Sequence, residues 1–195
     1  MSNEQGTAAR TLENRVAFVT GGGRGIGRAI AQELARQGAR VAVFARSGNE
    51  LAETVSLIEA AGGRAAQFAV DVADFAKVQD AFARAARALG AADILVNNAG
   101  VIGPLGPFAE NALDEWWRTF EINVHGPANC AHAVLPAMIA RRSGRIINVA
   151  SGGGTQPMAN FSSYVISKTA MIRLSEVLAI ELAPHGIQSF SISPG

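Results

Sequence analysis

Cysteine, tyrosine and lysine are almost missing from this chain. It has one cysteine (Cys130), one tyrosine (Tyr164) and two lysines (Lys77 and Lys168), against fifteen arginines. A single cysteine excludes an internal disulfide, which fits a reducing compartment. The first fifteen residues, MSNEQGTAARTLENR, contain no apolar stretch of the kind a secretory signal needs. No apolar run approaches the ~20 residues that span a bilayer. Charge is scarce too, at 17% of residues against roughly 25% in an average soluble domain, so a large share of the chain lies inside or at an interface. A net charge of +1 gives no footing for nucleic acid or an anionic membrane surface. These absences predict a cytoplasmic protein with neither nucleic-acid nor membrane partners. With 49% hydrophobic side chains over 195 residues, the chain can bury one sizeable core.

Short runs rich in Val, Ile and Phe recur along the sequence: VAFVT at 16–20, VAVFA at 41–45, AQFAV at 66–70, DILVN at 93–97, RIINVA at 145–150 and SFSI at 189–192. Helical patterns lie between them, such as IGRAIAQELARQG and FAKVQDAFARAARALG, several closed by glycine. The early strands return about every 25 residues, the length of a strand plus a crossover helix. Strands apolar throughout, rather than alternating, predict a parallel sheet covered on both faces. The expected fold class is α/β, a doubly wound parallel (Rossmann) sheet with six strands. Residues 1–14 are expected to form a disordered tail and 15–195 a single dinucleotide-binding domain.

TGGGRGIG (Thr20–Gly27) follows the first strand directly. Gly21 would allow the sharp turn, while Gly25 and Gly27 would remove side chains where the helix start meets a ligand and where the helix packs. Amides after Gly23 would then face a pyrophosphate at the positive end of the helix dipole. The spacing is G-x-x-x-G-x-G, and no Lys-Ser/Thr follows as a P-loop requires. A plain glycine-rich turn is the alternative at this point.

Further residues sharpen the reading. NNAG occupies 97–100, after the fourth strand; YVISK sets Tyr164 and Lys168 four residues apart, on one helical face; Ser151 ends the fifth strand; SPG closes the chain at 193–195. The sole tyrosine and one of two lysines at this spacing, in a chain that uses arginine wherever positive charge suffices, call for a chemical reason. A phenol with a pKa of about 10 is a poor catalyst at neutral pH unless a cation sits beside it.

Together these motifs resemble the short-chain dehydrogenase/reductase family, in its ordinary compact form, from Val16 to Gly195. The 3-oxoacyl-acyl-carrier-protein reductases are the similar subgroup. The resemblance implies a hydride exchanged between NADP(H) and a small carbonyl or alcohol substrate. Tyr164 would act as general acid/base, Ser151 would bind the carbonyl oxygen, and Lys168 would hold the nicotinamide ribose and depress the Tyr164 pKa. Asn123, in INVHG, would help hold a water linking Lys168 to solvent; a helix-kink or side-chain-to-backbone role is its alternative. The implied cofactor-binding set is Gly21, Gly23, Arg24, Gly25, Ile26, Gly27, Arg46, Asp71, Val72, Asn98, Ala99, Gly100, Tyr164, Lys168, Pro194 and Gly195. Asp71 would meet the adenine amino group, or else cap the following helix.

NAD-preferring members usually carry an acid at the end of the second strand. Here Ala45 takes that place and Arg46 follows, so Arg24 and Arg46 are expected to bracket a 2′-phosphate, favouring NADP(H) over NAD(H). Two solvent-facing arginines are the alternative. His125 and His132 would lie about 10 Å apart on a helix, too far for one metal, so no metal is expected. Trp116 and Trp117 point in different directions, one to the core and one free for a partner. The family pairs helices at about 112–139 and 162–183, implying a homodimer or homotetramer.

Two departures leave the triad untouched: Ile166 stands where the family usually has Ala, and Phe190 where it has Asn. A third concerns the end of the sequence. Family members continue past PG through a substrate loop to a seventh strand, so the resemblance leaves that strand and the substrate lid unaccounted for, with residues 189–192 as an open sheet edge. A non-catalytic or weakly active dinucleotide-binding protein is the alternative that follows.

Overall fold

A computed structural model describes residues 11–194. Six strands form one sheet: β1 (Val16–Thr20), β2 (Arg40–Ala45), β3 (Arg64–Ala69), β4 (Ile94–Asn97), β5 (Gly144–Val149) and β6 (Ile187–Ile192). The order is β3-β2-β1-β4-β5-β6, with every pair parallel. This is the expected Rossmann-like α/β sheet, and each predicted strand lies within two residues of an observed one.

The crossovers are α1 (Gly25–Arg36), α2 (Gly48–Ala60), α3 (Phe75–Leu89), α4 (Leu113–Phe120), α5 (Gly126–Ala140) and α6 (Ser162–Leu182). Strand alternation divides the core in two. Phe18, Phe44, Leu95 and Ile146 face one side with α3, α5 and the end of α6. Val19, Val41, Val43, Ile94 and Val96 face the other with α1 and α2. On the first face four phenylalanines interlock; the Phe44 ring lies 5.2 Å from Phe18, 4.5 Å from Phe82 and 5.4 Å from Phe68. These tilted and offset contacts fix the level at which β2 ends.

Two expectations need correcting. Coverage on both faces holds for β1, β2 and β4 but not for the ends of the sheet: β3 is nowhere fully buried, and Phe190 and Ile192 of β6 are exposed. An outer strand has a neighbour on one side only, so its far residues meet solvent. The helical stretch expected at about 112–139 is present and unbroken from Leu113 to Ala140, with a π-helical turn, Glu121–His125, between α4 and α5. Of the tail expected at 1–14, residues 11–14 form a turn instead: Arg15 N–H donates to Leu12 O at 3.0 Å, Leu12 N–H donates to Gln37 O at 3.0 Å, and Leu12 packs on the core. Residues 1–10 lie outside the described residues. Among the latter, no helix is long and apolar enough to cross a membrane.

A buried polar chain ties the central strands to α6. Asn97 and Asn148 face each other across β4 and β5; Asn97 Nδ2 donates to Asn148 Oδ1 (2.8 Å), Asn148 Nδ2 to Ser175 Oγ (2.9 Å), and Ser175 Oγ to Met171 O (2.8 Å). Directional bonds in a dry interior set the register of α6 more sharply than apolar packing alone.

Candidate active site

The strand order reverses between β1 and β4, and a cavity of about 700 Å³ opens there, at the carboxyl ends of the strands. All six strands lead into its wall: Gly21 after β1, Arg46 after β2, Asp71 after β3, Asn98 after β4, Ser151 after β5 and Pro194 after β6. Of the sixteen residues of the implied cofactor set, fourteen line this space, Tyr164 and Lys168 among them. Gly25 does not, and Gly195 lies outside the described residues.

The glycine turn is held from beneath by Thr20. Its Oγ1 accepts the N–H groups of Asn98 (3.0 Å) and Ala99 (3.1 Å) and donates to Val96 O (3.3 Å). Asn98 answers with its side chain, Nδ2 donating to Thr20 O (3.0 Å) and Gly21 O (3.3 Å). A Cβ on Gly27 would fall on the Gly21 carbonyl oxygen and the Asn98 amide, so only glycine lets α1 start this close. Gly25 has open space around it and a φ of +53°, a backbone conformation that favours glycine. Arg28 braces the turn from outside, Nε donating to Gly23 O at 3.0 Å while the guanidinium pairs with Glu53 at 2.8 Å.

At the β2 end of the cavity the side chain of Arg24 is 81% exposed and its Nε stands 3.7 Å from Glu50 Oε1. Arg46 is exposed in the same wall, with no ion-pair partner among the described residues. Asp71 is more committed than expected. Oδ1 accepts Ala73 N–H (3.0 Å), and Oδ2 accepts Arg118 Nη2 (2.6 Å). Partial burial works to raise its pKa, but the Ala73 amide and the Arg118 guanidinium outweigh it and hold the carboxyl below the usual aspartate value. Capping of α3, the alternative for Asp71, belongs to Asp74, whose side chain accepts Lys77 N–H.

The other end holds Ser151, Tyr164 and Lys168. Ser151 Oγ accepts Gly153 N–H (3.1 Å), which leaves its own hydroxyl proton free to donate. The Gly152–Gly154 turn is fastened to α6, with Thr169 Oγ1 donating to Gly154 O at 3.0 Å. A Cβ built on Gly153 would lie 3.6 Å from Ser151 Oγ and 3.7 Å from Tyr164 Cε1, so hydroxyl and ring flank one point. Lys168 is buried; Nζ donates to Val149 O (2.8 Å) and stands 5.7 Å from the Tyr164 ring centroid. Burial lowers the ammonium pKa from 10.5 to about 8.

Asn123 is buried in the π-helical turn and does not line the cavity. Its Oδ1 accepts Val101 N–H (2.8 Å), and Nδ2 donates to Val101 O (2.8 Å) and Ser167 Oγ (3.0 Å). Both amide protons are thereby used, so the side chain has no proton to give a water. It clamps the loop after β4 to α6, and Ser167 Oγ passes the contact on to Tyr164 O (2.8 Å). The side-chain-to-backbone bonds held as its alternative are present, within a π-helical turn.

Thr20, Arg28, Glu50 and Arg118 are the site residues that sequence reasoning missed. Arg28 and Glu50 lie at helical positions read only as periodicity, and Arg118 is 47 residues from the aspartate it holds. Of the tryptophans, Trp116 is buried, with Nε1 donating to Ser162 Oγ (2.9 Å), whereas Trp117 is 58% exposed. Among the described residues no group of His, Cys, Asp and Glu could hold a metal ion.

A family described as short chain dehydrogenase matches residues 15–195. A short chain dehydrogenase of Pseudocercospora fijiensis (strain CIRAD86) is 42% identical over 186 residues, which cover 94% of this chain and 60% of that protein. The 2,3-dihydro-2,3-dihydroxybenzoate dehydrogenase of Bacillus subtilis (strain 168) is 38% identical over 187 residues, covering 96% and 71%. The chain thus spans 60% to 71% of the length of these two curated relatives. Among solved structures, an NAD+-bound xylitol dehydrogenase superposes with a TM-score of 0.92 at 34% identity, covering 95% of this chain and 71% of that one. A metagenomic short-chain oxidoreductase in complex with NADP gives 0.90 at 38% identity, covering 94% and 83%.

The buried lysine makes a testable demand on stability. Its folded pKa lies below the unfolded value, so between about 8 and 10.5 the unfolded chain carries a proton the folded chain has shed. Stability therefore rises with pH across that window, and the burial cost is fully present below it. Lys168→Met removes the titration. In urea unfolding, the stability of the parent relative to this variant should improve by on the order of 3 kcal/mol from about pH 7 to about pH 10.5. A difference that stays flat with pH would mean the ammonium is not desolvated.

Proposed function

The chain belongs to the short-chain dehydrogenase/reductase family, and from that premise we propose an oxidoreductase using NADP(H) on a carbonyl or alcohol substrate, with Tyr164 as general acid/base. The carrying observation is that one cavity joins the glycine turn to Ser151, Tyr164 and Lys168. Its volume falls within the range typical of cofactor sites. The residues present suit a dinucleotide: a glycine turn at the positive end of α1 for the pyrophosphate, guanidiniums at one end, and a buried ammonium at the other.

When bound, the nicotinamide supplies or accepts the hydride. The chain's own residues handle the proton and the charge. In reduction Tyr164 gives its phenolic proton to the oxygen that was the carbonyl. The Ser151 hydroxyl, oriented by the Gly153 amide, donates a second bond to the same oxygen, where negative charge develops. Lys168 is chiefly an ammonium at neutral pH, with one proton on Val149 O and two left for ribose hydroxyls. It also sets a positive charge beside the phenolate left behind, which Coulomb attraction stabilises. Asn123 acts as a positioning residue through Val101 and Ser167.

Preference for NADP(H) is supported by Ala45 in place of an acid and by the exposed Arg24 and Arg46. Assembly through α4–α5 and α6 is supported by the apolar side chains these helices present outward, Trp117, Ile166, Val177 and Ile180. A cytoplasmic location remains our reading from the sparing use of cysteine.

Tyr164→Phe deletes one hydroxyl and little packing. Turnover of NADPH with a ketone panel should fall by at least about a hundredfold while NADPH affinity stays within about threefold; near-parental turnover would refute the acid/base assignment. Arg46→Asp should move the NADPH-to-NADH affinity ratio towards NADH by one to two orders of magnitude, about 1.4–3 kcal/mol. An unchanged ratio would leave Arg24 as the sole phosphate ligand. Ile180→Glu, at a side chain 76% exposed on α6, should convert a dimer or tetramer to a smaller species by light scattering; an unaltered mass excludes that face as an interface.

A further inference from the structure

The acid expected at the end of β2 in an NAD-type site is absent from the sequence there, yet the fold brings a carboxylate into the same cavity. Glu50 stands in the first turn of α2 and lines the cavity with Arg24, Arg46 and Ser47. Its Oε1 is 3.7 Å from Arg24 Nε, and its side chain lies against the glycine turn, where a Cβ on Gly23 would come 3.0 Å from Glu50 Cβ and 3.3 Å from Oε2. The backbone of Glu50 is fixed independently of its carboxylate. Its N–H donates to Ser47 Oγ at 3.4 Å, and its carbonyl accepts Thr54 Oγ1 at 3.1 Å.

We propose that Glu50 is a specificity-determining residue that restrains the preference for NADP(H) and keeps NAD(H) usable. This rests on the reading of Arg24 and Arg46 as ligands of a 2′-phosphate. A phosphomonoester carries close to two negative charges at neutral pH. Any such group reaching Arg24 also meets the Glu50 carboxylate, because the two side chains are in contact, and it must displace that carboxylate from the guanidinium it neutralises. A cofactor with a free 2′-hydroxyl meets no repulsion and finds in Glu50 an acceptor for the ribose O–H, the role played elsewhere by an acid at the strand end. Opposite charges in one wall thus favour the two cofactors by separate means. Arg46, without an ion-pair partner among the described residues, tips the balance towards phosphate.

The experiment compares dissociation constants of NADPH and NADH, read from the fluorescence of the reduced nicotinamide, in the full chain and in variants. Glu50→Gln keeps the shape and backbone bonds and removes only the charge. NADPH should bind about five- to tenfold tighter and NADH no tighter than before, moving the ratio about tenfold (about 1.4 kcal/mol). The gain should shrink as salt rises from about 0.05 to about 0.5 M, which lost packing would not produce. Glu59→Gln is the control: it removes the same charge from the same helix, nine residues further along and outside the cavity, and should move the ratio less than twofold. A Glu50→Gln ratio within twofold of the parent, or an equal shift from Glu59→Gln, overturns the proposal. Failure of the underlying reading looks different. If Arg46→Asp leaves the ratio unchanged while Glu50→Gln shifts it, the Arg46 assignment falls and Glu50 stands; if the parent binds neither cofactor, both fall.

Discussion

The hydroxyl of Thr20 carries more of this site than any other single group. At the point where the strand order reverses, two loops leave neighbouring strands in opposite directions, and each exposes amides the sheet can no longer satisfy. One Oγ1 accepts two of those amides, from Asn98 and Ala99, while Asn98 returns a bond to the carbonyls of Thr20 and Gly21. Backbone groups left unpaired cost about 1–3 kcal/mol each when fully buried; these two amides are part-buried, and the latch satisfies both. It also fixes the Gly21 carbonyl, against which Gly27 and the start of α1 are packed. The direction of α1, and therefore of its amides, is inherited from that contact.

The Tyr164 end of the cavity is built on the same principle with different groups. Tyr164 and Lys168 share a face of α6 because they are four residues apart, but a shared face does not say where that face points. The Asn97–Asn148–Ser175 chain sets the rotation of α6 from within the sheet, and the Asn123–Ser167–Tyr164 chain sets it from the loop after β4. Both run through the interior, where a bond is stronger than at the surface and where loss of one partner strands the other. The π-helical turn at 121–125 is what turns Asn123 inward to make the second chain.

What could be read from the sequence was what depends on local spacing. Six apolar runs with helices between them gave the parallel sheet, and the glycine turn, NNAG, Ser151 and YVISK each occupy a strand end or helix face by their own pattern. The groups that stayed hidden act across the chain. Asp71 meets an arginine 47 residues away, and Arg24 meets a glutamate 26 residues away, a separation no period links. Asn123 was placed correctly in the fold, yet its partners depend on a helical irregularity that neither composition nor periodicity announces. The turn at 11–14 escaped notice because polar residues near a chain end look the same whether or not a backbone bond to Gln37 holds them.

The chain's preference for arginine makes its one buried lysine informative. Guanidiniums are used at the rim, where Arg24, Arg28 and Arg46 have water or carboxylates for their five donors. Beside Tyr164 the Lys168 ammonium has one hydrogen-bond acceptor among the described residues, Val149 O. A guanidinium there would leave several N–H groups without acceptors and would not give up charge under any burial. An ammonium spends one proton on that carbonyl, keeps two for whatever enters the cavity, and accepts a lowered pKa as the consequence of its position. Lys77, the only other lysine, sits on the surface in an ion pair with Asp74, where either cation would serve. The requirement at position 168 is therefore for a small point charge that can be desolvated, and positive charge by itself would not meet it.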